Sequence, residues 1–186
     1  MQRAGRRSSW IDSRKADIAD AHILNSVLNK HTIVRKIIAA LHASLEIYTR
    51  SAREAHAGAT DEQNKAENKY DTRGLEAGYL ARGQSQQAAE VMQAIQRYET
   101  LPLRAFTAKE PVDVGALVEL ERGGERTLYF IGPLAGGVEV ESDGRSVLVI
   151  TPQSPMGRQL AGQKQGAQFK IQIGKTSESC RIAGVS

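Results

Sequence analysis

The sequence predicts an α+β protein: an N-terminal antiparallel α-helical coiled-coil hairpin followed by a small antiparallel β domain with one short helix. Three observations predict it. Composition changes near Leu101-Pro102: glycine is sparse before this point, where Ala, Glu, Gln, Arg and Lys dominate, and recurs after it among alternating apolar residues. Two stretches ahead of that boundary space their apolar residues by alternating fours and threes, the pattern of a coiled-coil seam. Aromatic residues make up only 5% of the 186, which argues against one large globular core and suits helices packed through aliphatic side chains.

The first helix is expected from about Thr32 to Ala57. Val34, Ile38, Leu41, Leu45, Tyr48, Ala52 and Ala55 form its seam, and Arg35, Lys36, Glu46, Arg50 and Arg53 its solvated face. Gly58 is a stop signal, since glycine readily takes the left-handed conformation that ends helices. A short polar stretch, Ala59 to Asn64, follows. Thr60 or Asp61 can cap the next helix with a side-chain oxygen, and the acidic residues there suit the positive end of its dipole. The second helix is expected from about Ala66 to Thr100, with a weaker seam: Tyr70, Gly74, Ala77, Ala81, Gln84, Ala88, Val91, Ile95 and Tyr98. Two heptad helices joined by a short polar turn make an antiparallel hairpin, each arm on the order of 40 Å long at ~1.5 Å per residue. Such a hairpin is built to reach rather than to enclose a pocket.

Pro102 and Pro111 mark a connector without regular structure. Ala116–Leu120 and Thr127–Ile131 flank Gly123-Gly124, a β-hairpin signal. Val138–Val140 and Ser146–Ile150 flank the turn residues Asp143-Gly144. Ser154 and Pro155 open a short helix as N-cap and first helical residue, Met156 to Ala161 continue it, and Gly162 ends it. Phe169–Ile173 and Cys180–Val185 complete the strands. The chain thus divides into an extension over 1–29, expected to be flexible, a hairpin over 30–102 and a β domain over 103–186.

Several function classes drop out. The single cysteine, Cys180, excludes an intrachain disulfide and a cysteine-based metal site, and reads as a small buried strand residue. His22, His31, His42 and His56 stand nine, eleven and fourteen residues apart, so no pair sits at i, i+4 on a helix to hold zinc. Neither a phosphate-binding glycine loop nor a nucleophile elbow is present. No apolar run approaches a membrane span, and the basic N-terminus lacks the apolar segment of a secretory signal, so a cytoplasmic protein is expected. The net charge of +4 permits a nucleic-acid or nucleoprotein partner without requiring one.

The run Ile150-Thr151-Pro152-Gln153-Ser154-Pro155-Met156-Gly157-Arg158-Gln159-Leu160-Ala161-Gly162-Gln163-Lys164-Gln165-Gly166 resembles the C-terminal signature of the GreA/GreB transcription elongation factors, S-P-L-G-x-A-L-x-G-K-x-x-G-D followed by a strand. The hairpin ahead of it matches that family's domain order, so the resemblance spans residues 31–186. Lys65-Ala66-Glu67-Asn68-Lys69-Tyr70-Asp71 is similar to the family's tip segment S-E-N-A-E-Y. There the sequence departs: Asn64 stands where the family places an Asp, with Asp61 and Glu62 just upstream. The chain is therefore identified as resembling a divergent branch.

The resemblance implies a factor that is not itself an enzyme. It implies that the hairpin enters the secondary channel of bacterial RNA polymerase. There the tip carboxylates Asp61, Glu62 and Glu67 assist cleavage of backtracked RNA, with Asp61 and Glu67 sharing Mg²⁺ with the polymerase active site. No cofactor would be bound by the protein alone. The resemblance further implies an FKBP-like C-terminal domain that docks on the polymerase rim, with Ser154, Pro155, Met156 and Gly157 on the docking segment. No prolyl isomerase activity is expected, because that chemistry uses an aromatic-lined pocket and this half supplies only Phe106, Tyr129, Phe130 and Phe169. Lys65, Lys69, Arg73 and Arg82 are candidates for contacts to nascent RNA or the channel wall.

Each sharp reading has a plain counterpart. The three carboxylates can serve as dipole partners of the second helix, the four basic residues as a solvated face, and Ser154-Pro155-Met156-Gly157 as a local turn and cap. Two functional alternatives also stand: a channel-occupying regulator without cleavage stimulation, and a free-standing coiled-coil adaptor. The first hypothesis expects a monomer, with polymerase and nascent RNA as partners and no membrane association.

Overall fold

The computed structural model describes residues 28–60, 73–173 and 176–186. Helix α1 (Lys30–Thr60) and helix α2 (Arg73–Glu99) pack along each other. They run antiparallel: the start of α1 shares a core with the end of α2, and farther along Thr49, Ala52 and Arg53 line a groove with Ser85, Ala88 and Met92. The predicted seams lie inward over the described residues; Tyr70, and the expected helix start near Ala66, fall outside them. Val34 and Leu41 are buried and Ile38, Leu45, Tyr48, Ala52 and Ala55 half-buried. Across from them, Ala77, Ala81, Gln84, Ala88 and Val91 are half-buried, and Ile95 and Tyr98 buried.

Two boundaries differ from the sequence reading. Gly58 does not end α1, which continues to Thr60. A helical glycine costs only about 1 kcal/mol relative to alanine, so it permits a stop without enforcing one. At the other end, Leu28 is buried in the core, and the Asn29 side-chain oxygen accepts hydrogen bonds from the N–H groups of His31 (2.9 Å) and Thr32 (3.4 Å). Asn29 is thus the N-cap of α1. The expected extension falls otherwise, over 1–27, outside the described residues.

The second half forms one six-stranded sheet in the order β3-β4-β2-β1-β6-β5. The strands are β1 (Leu117–Arg122), β2 (Glu125–Ile131), β3 (Glu139–Ser142), β4 (Arg145–Ile150), β5 (Gln168–Ile173) and β6 (Thr176–Val185). Helix α3 (Pro155–Leu160) lies between β4 and β5 in sequence. The two predicted hairpin turns form as read: Gly123-Gly124 and Asp143-Gly144 all have positive φ, the requirement of a tight two-residue turn matched to strand twist. Four of the five pairings are antiparallel, as expected. The exception is β2 with β4, which run parallel. After β2 the chain crosses to the sheet edge, forms β3, and returns as β4 alongside β2.

The sheet has two differently covered faces. Leu117, Leu128, Phe130, Val147 and Val149 pack on one face with Ile33, Ile37 and Tyr98 from the hairpin. Ile33 and Ile37 are fully buried although neither belongs to the coiled-coil seam. Spaced by four residues, they form a second apolar row on α1, turned toward the sheet. On the opposite face Val118, Leu120, Ile131, Ile150 and Ile182 pack with Leu160 of α3. Cys180 is buried there, and burial pushes its thiol pKa up, as suits an inert packing residue. Among the described residues no helix is long and apolar enough to cross a membrane.

Candidate functional site

The predicted contact residues are spread along the chain, and the structure treats them unequally. Asp61, Glu62, Lys65, Glu67 and Lys69 lie outside the described residues. Arg73 is the first residue of α2, and Arg82 is exposed farther along it. Arg82 shares a face with Leu75, Tyr79 and Gln86 by helical spacing, turned away from the seam. Leu75 is 58% exposed and Tyr79 66%, an unusual pair of apolar side chains for an outer face.

The segment Ser154-Pro155-Met156-Gly157 has a fully interpretable geometry. The Ser154 hydroxyl accepts from the Gly157 N–H at 3.0 Å and donates to the Thr151 carbonyl at 2.8 Å. Pro155 occupies the first helical turn, where its missing N–H costs nothing. A Cβ on Gly157 would lie 1.8 Å from the Thr151 carbonyl oxygen, so only glycine fits. Met156 packs against the core that holds Val118, Leu120 and Ile182, and Leu160 is fully buried in it. Gly162 and Gly166 both take positive φ. Gly162 donates to the Val112 carbonyl at 2.9 Å and Gly166 to the Ile182 carbonyl at 2.8 Å. Every small or capping residue of this run therefore shapes a turn that ties α3 to the connector and to β6. Pro155 and Gln153 remain exposed on its surface.

Three further features escaped the sequence reading. The first is the joint between hairpin and sheet. Tyr98 is 1% exposed, packs its ring 6.4 Å from that of Phe130, and donates its hydroxyl to the Leu134 carbonyl at 3.0 Å. Gly132 makes room for that hydroxyl: a Cβ there would fall 2.0 Å from it. Burial raises the phenol pKa above its ordinary value of 10.0. A tyrosine at a seam position that follows Val91 and Ile95 was the available signal, because a buried phenol needs an acceptor.

The second is an anchor at the start of α1. The Lys30 amine donates to the carbonyls of Arg104 and Gly115 and sits 5.0 Å from the Phe106 ring centre. Arg104 stacks on the same ring at 3.7 Å and pairs with Glu110 at 2.6 Å. Burial, then the Arg104 charge, lowers the Lys30 pKa. The third is a charged cluster on the sheet face that carries Leu117, Leu128 and Val147. There Glu119 of β1 pairs with Arg145 of β4 and, at 3.5 Å, with Arg126 of β2; the sequence reading did not bring Arg145 to β1, because β2 lies between their strands. Among the described residues no group of three or more His, Cys, Asp or Glu side chains is placed to hold a metal ion.

No family model matches the sequence, and no curated protein matches it. Several solved structures resemble the fold. One is the GreA factor homolog 1 (Gfh1) of Thermus thermophilus, at 22% identity over 80% of this chain and 94% of that one, with a TM-score of 0.33. Gfh1 of Thermus aquaticus gives 24% identity, 79% and 92% coverage and a TM-score of 0.35. A GreA/GreB elongation factor from Nitrosomonas europaea gives 17% identity, 60% and 92% coverage and a TM-score of 0.33.

Proposed function

We propose that this protein is a bacterial transcription elongation factor that binds RNA polymerase as a monomer, its helical hairpin entering the secondary channel and its β domain holding the polymerase rim. The observation that carries this reading is the Ser154–Gly166 run. Its order and spacing resemble the GreA/GreB signature, and each signature residue has a distinct structural task here: cap at Ser154, close approach at Gly157, core at Leu160, turns at Gly162 and Gly166. The hairpin precedes it in the order the family uses. A reaching arm suits a protein that acts inside another enzyme's active site.

In this reading Asp61, Glu62 and Glu67 bring carboxylate oxygens to the polymerase centre. Hard oxygen donors of this kind suit Mg²⁺, which commonly takes one or two carboxylates beside phosphate oxygens. When bound, that ion would help stabilise the attacking and leaving oxygens of RNA cleavage. Asp61 and Glu67 would hold it, while Arg73 and Arg82, with Lys65 and Lys69, would line the path of the extruded RNA.

A second reading is favoured by Asn64, a neutral amide where the family has a carboxylate. Here the arm occupies the channel and modulates transcription without stimulating cleavage. A transcript-cleavage assay on stalled elongation complexes separates the two. The first reading expects faster cleavage with the protein, lost when Asp61, Glu62 and Glu67 are all changed to Ala while polymerase binding persists. Binding without any stimulation by the unaltered protein selects the second reading, and absence of binding overturns both.

A further inference from the structure

Among the described residues, the buried ones of the hairpin are all at one end. Ile33, Val34, Ile37 and Leu41 on α1, and Ala94, Ile95 and Tyr98 on α2, join the core that also holds Phe130, Val147 and Val149. From His42 to Gly58, and from Gly74 to Gln93, no residue is buried. Between Tyr48 and Val91 the described seam is made of small or polar residues, Ala52, Ala55, Ala77, Ala81, Gln84 and Ala88, which bury little apolar area.

The distal half is also the half that carries glycine. A Cβ added at Gly58, Gly78 or Gly83 would meet nothing within 4 Å. These glycines therefore answer no packing demand, unlike Gly132 and Gly157. Within a helix each weakens the local structure relative to alanine through backbone entropy. Ser85 adds to this, since its hydroxyl bonds back to the Ala81 carbonyl at 2.8 Å, a contact that competes with the helical ladder. The outward Leu75 and Tyr79 lie in the same stretch and are more than half exposed.

We infer that the hairpin is two energetic units. The base, over 30–48 and 91–99, opens only when the sheet core opens, since Leu45 and Val91 still pack against that core. The distal part, over 49–60 and 73–90, opens on its own by local unfolding while the base stays closed. The end of the arm that leads into segment 61–72 is thus the less stable part of the described hairpin, and its shape is set by what it meets. The inference rests on packing and backbone propensity, and stands or falls separately from the polymerase reading.

Native-state amide hydrogen exchange on the full chain, without partners, tests it. Amides of 49–58 and 74–86 should show protection at least tenfold lower than those of 33–41 and 94–98. Changing Gly78 and Gly83 to Ala should raise distal protection about fourfold per site, roughly sixteenfold together, with base protection unchanged. Equal protection in the two halves would overturn the inference. So would a double variant that raises both halves together, or one that leaves the distal half unaltered.

Discussion

At the scale of single residues, the firmest expectations come from glycines in contact with fixed groups. At Gly157 the neighbour is a backbone carbonyl, which cannot rotate away as a side chain can. Gly157→Ala must shift α3 against Thr151 and should destabilise the β domain by about 2–3 kcal/mol, in the range of other overpacking changes. Urea unfolding followed by fluorescence or circular dichroism measures this. Tyr98 offers a test with a pH signature. Its folded-state pKa lies above the ordinary 10.0 because burial favours the neutral phenol. The stability linked to that neutral form is complete below about pH 10 and is lost as pH rises above it. Tyr98→Phe should cost about 1 kcal/mol at pH 7 by leaving the Leu134 carbonyl without its donor. It should also flatten the decline in stability between pH 10 and 12. An unchanged decline would assign the effect to other groups, Tyr129 first, whose pKa burial also raises.

At the scale of elements, periodicity was legible where one partner decides a residue's environment, and silent where two do. The heptad seams, both glycine turns and the Ser154 cap each depend on neighbours within a few residues or on one facing helix, and the sequence reading placed them well. Ile33 and Ile37 were missed as core residues because α1 carries a second buried row against the sheet, and a single-seam pattern hides it. The parallel β2–β4 pairing was missed for a related reason: alternation marks a strand's faces but says nothing of its neighbour's direction. At the candidate site, the sequence picked out the Ser154–Gly157 turn from its residue types, whereas the Tyr98–Gly132 fit joins residues 34 positions apart with no shared local pattern. The two rows on α1 predict unequal sensitivity. Ile37→Ala removes a fully buried side chain and should cost about 2–4 kcal/mol. Leu75→Ala on α2, exposed already, should stay within about 0.5 kcal/mol. Thermal unfolding of both variants beside the parent chain checks the contrast.

At the scale of the whole molecule, the hairpin and the β domain share a core, so the arm's direction is set by packing rather than by a linker. Ile33, Ile37 and Tyr98 press on one face of the sheet, and the Lys36 amine reaches the Glu141 carbonyl at 2.6 Å. That core also has a property in time. All of its buried members fall between Leu28 and Val149, so it can close before α3, β5 and β6 take part. The opposite core cannot, because it needs Leu160, Ile171, Cys180 and Ile182, and β5 joins the sheet only through β6, which pairs with β1 and delivers the last two. Assembly therefore has a natural order, with the arm seated on the sheet first and the far side sealed afterwards. Refolding kinetics should show it: Val147→Ala should slow folding, whereas Ile182→Ala should chiefly speed unfolding. A chain made from its N-terminus onward would then have its reaching arm already aimed while the strand that completes the sheet is still being synthesised.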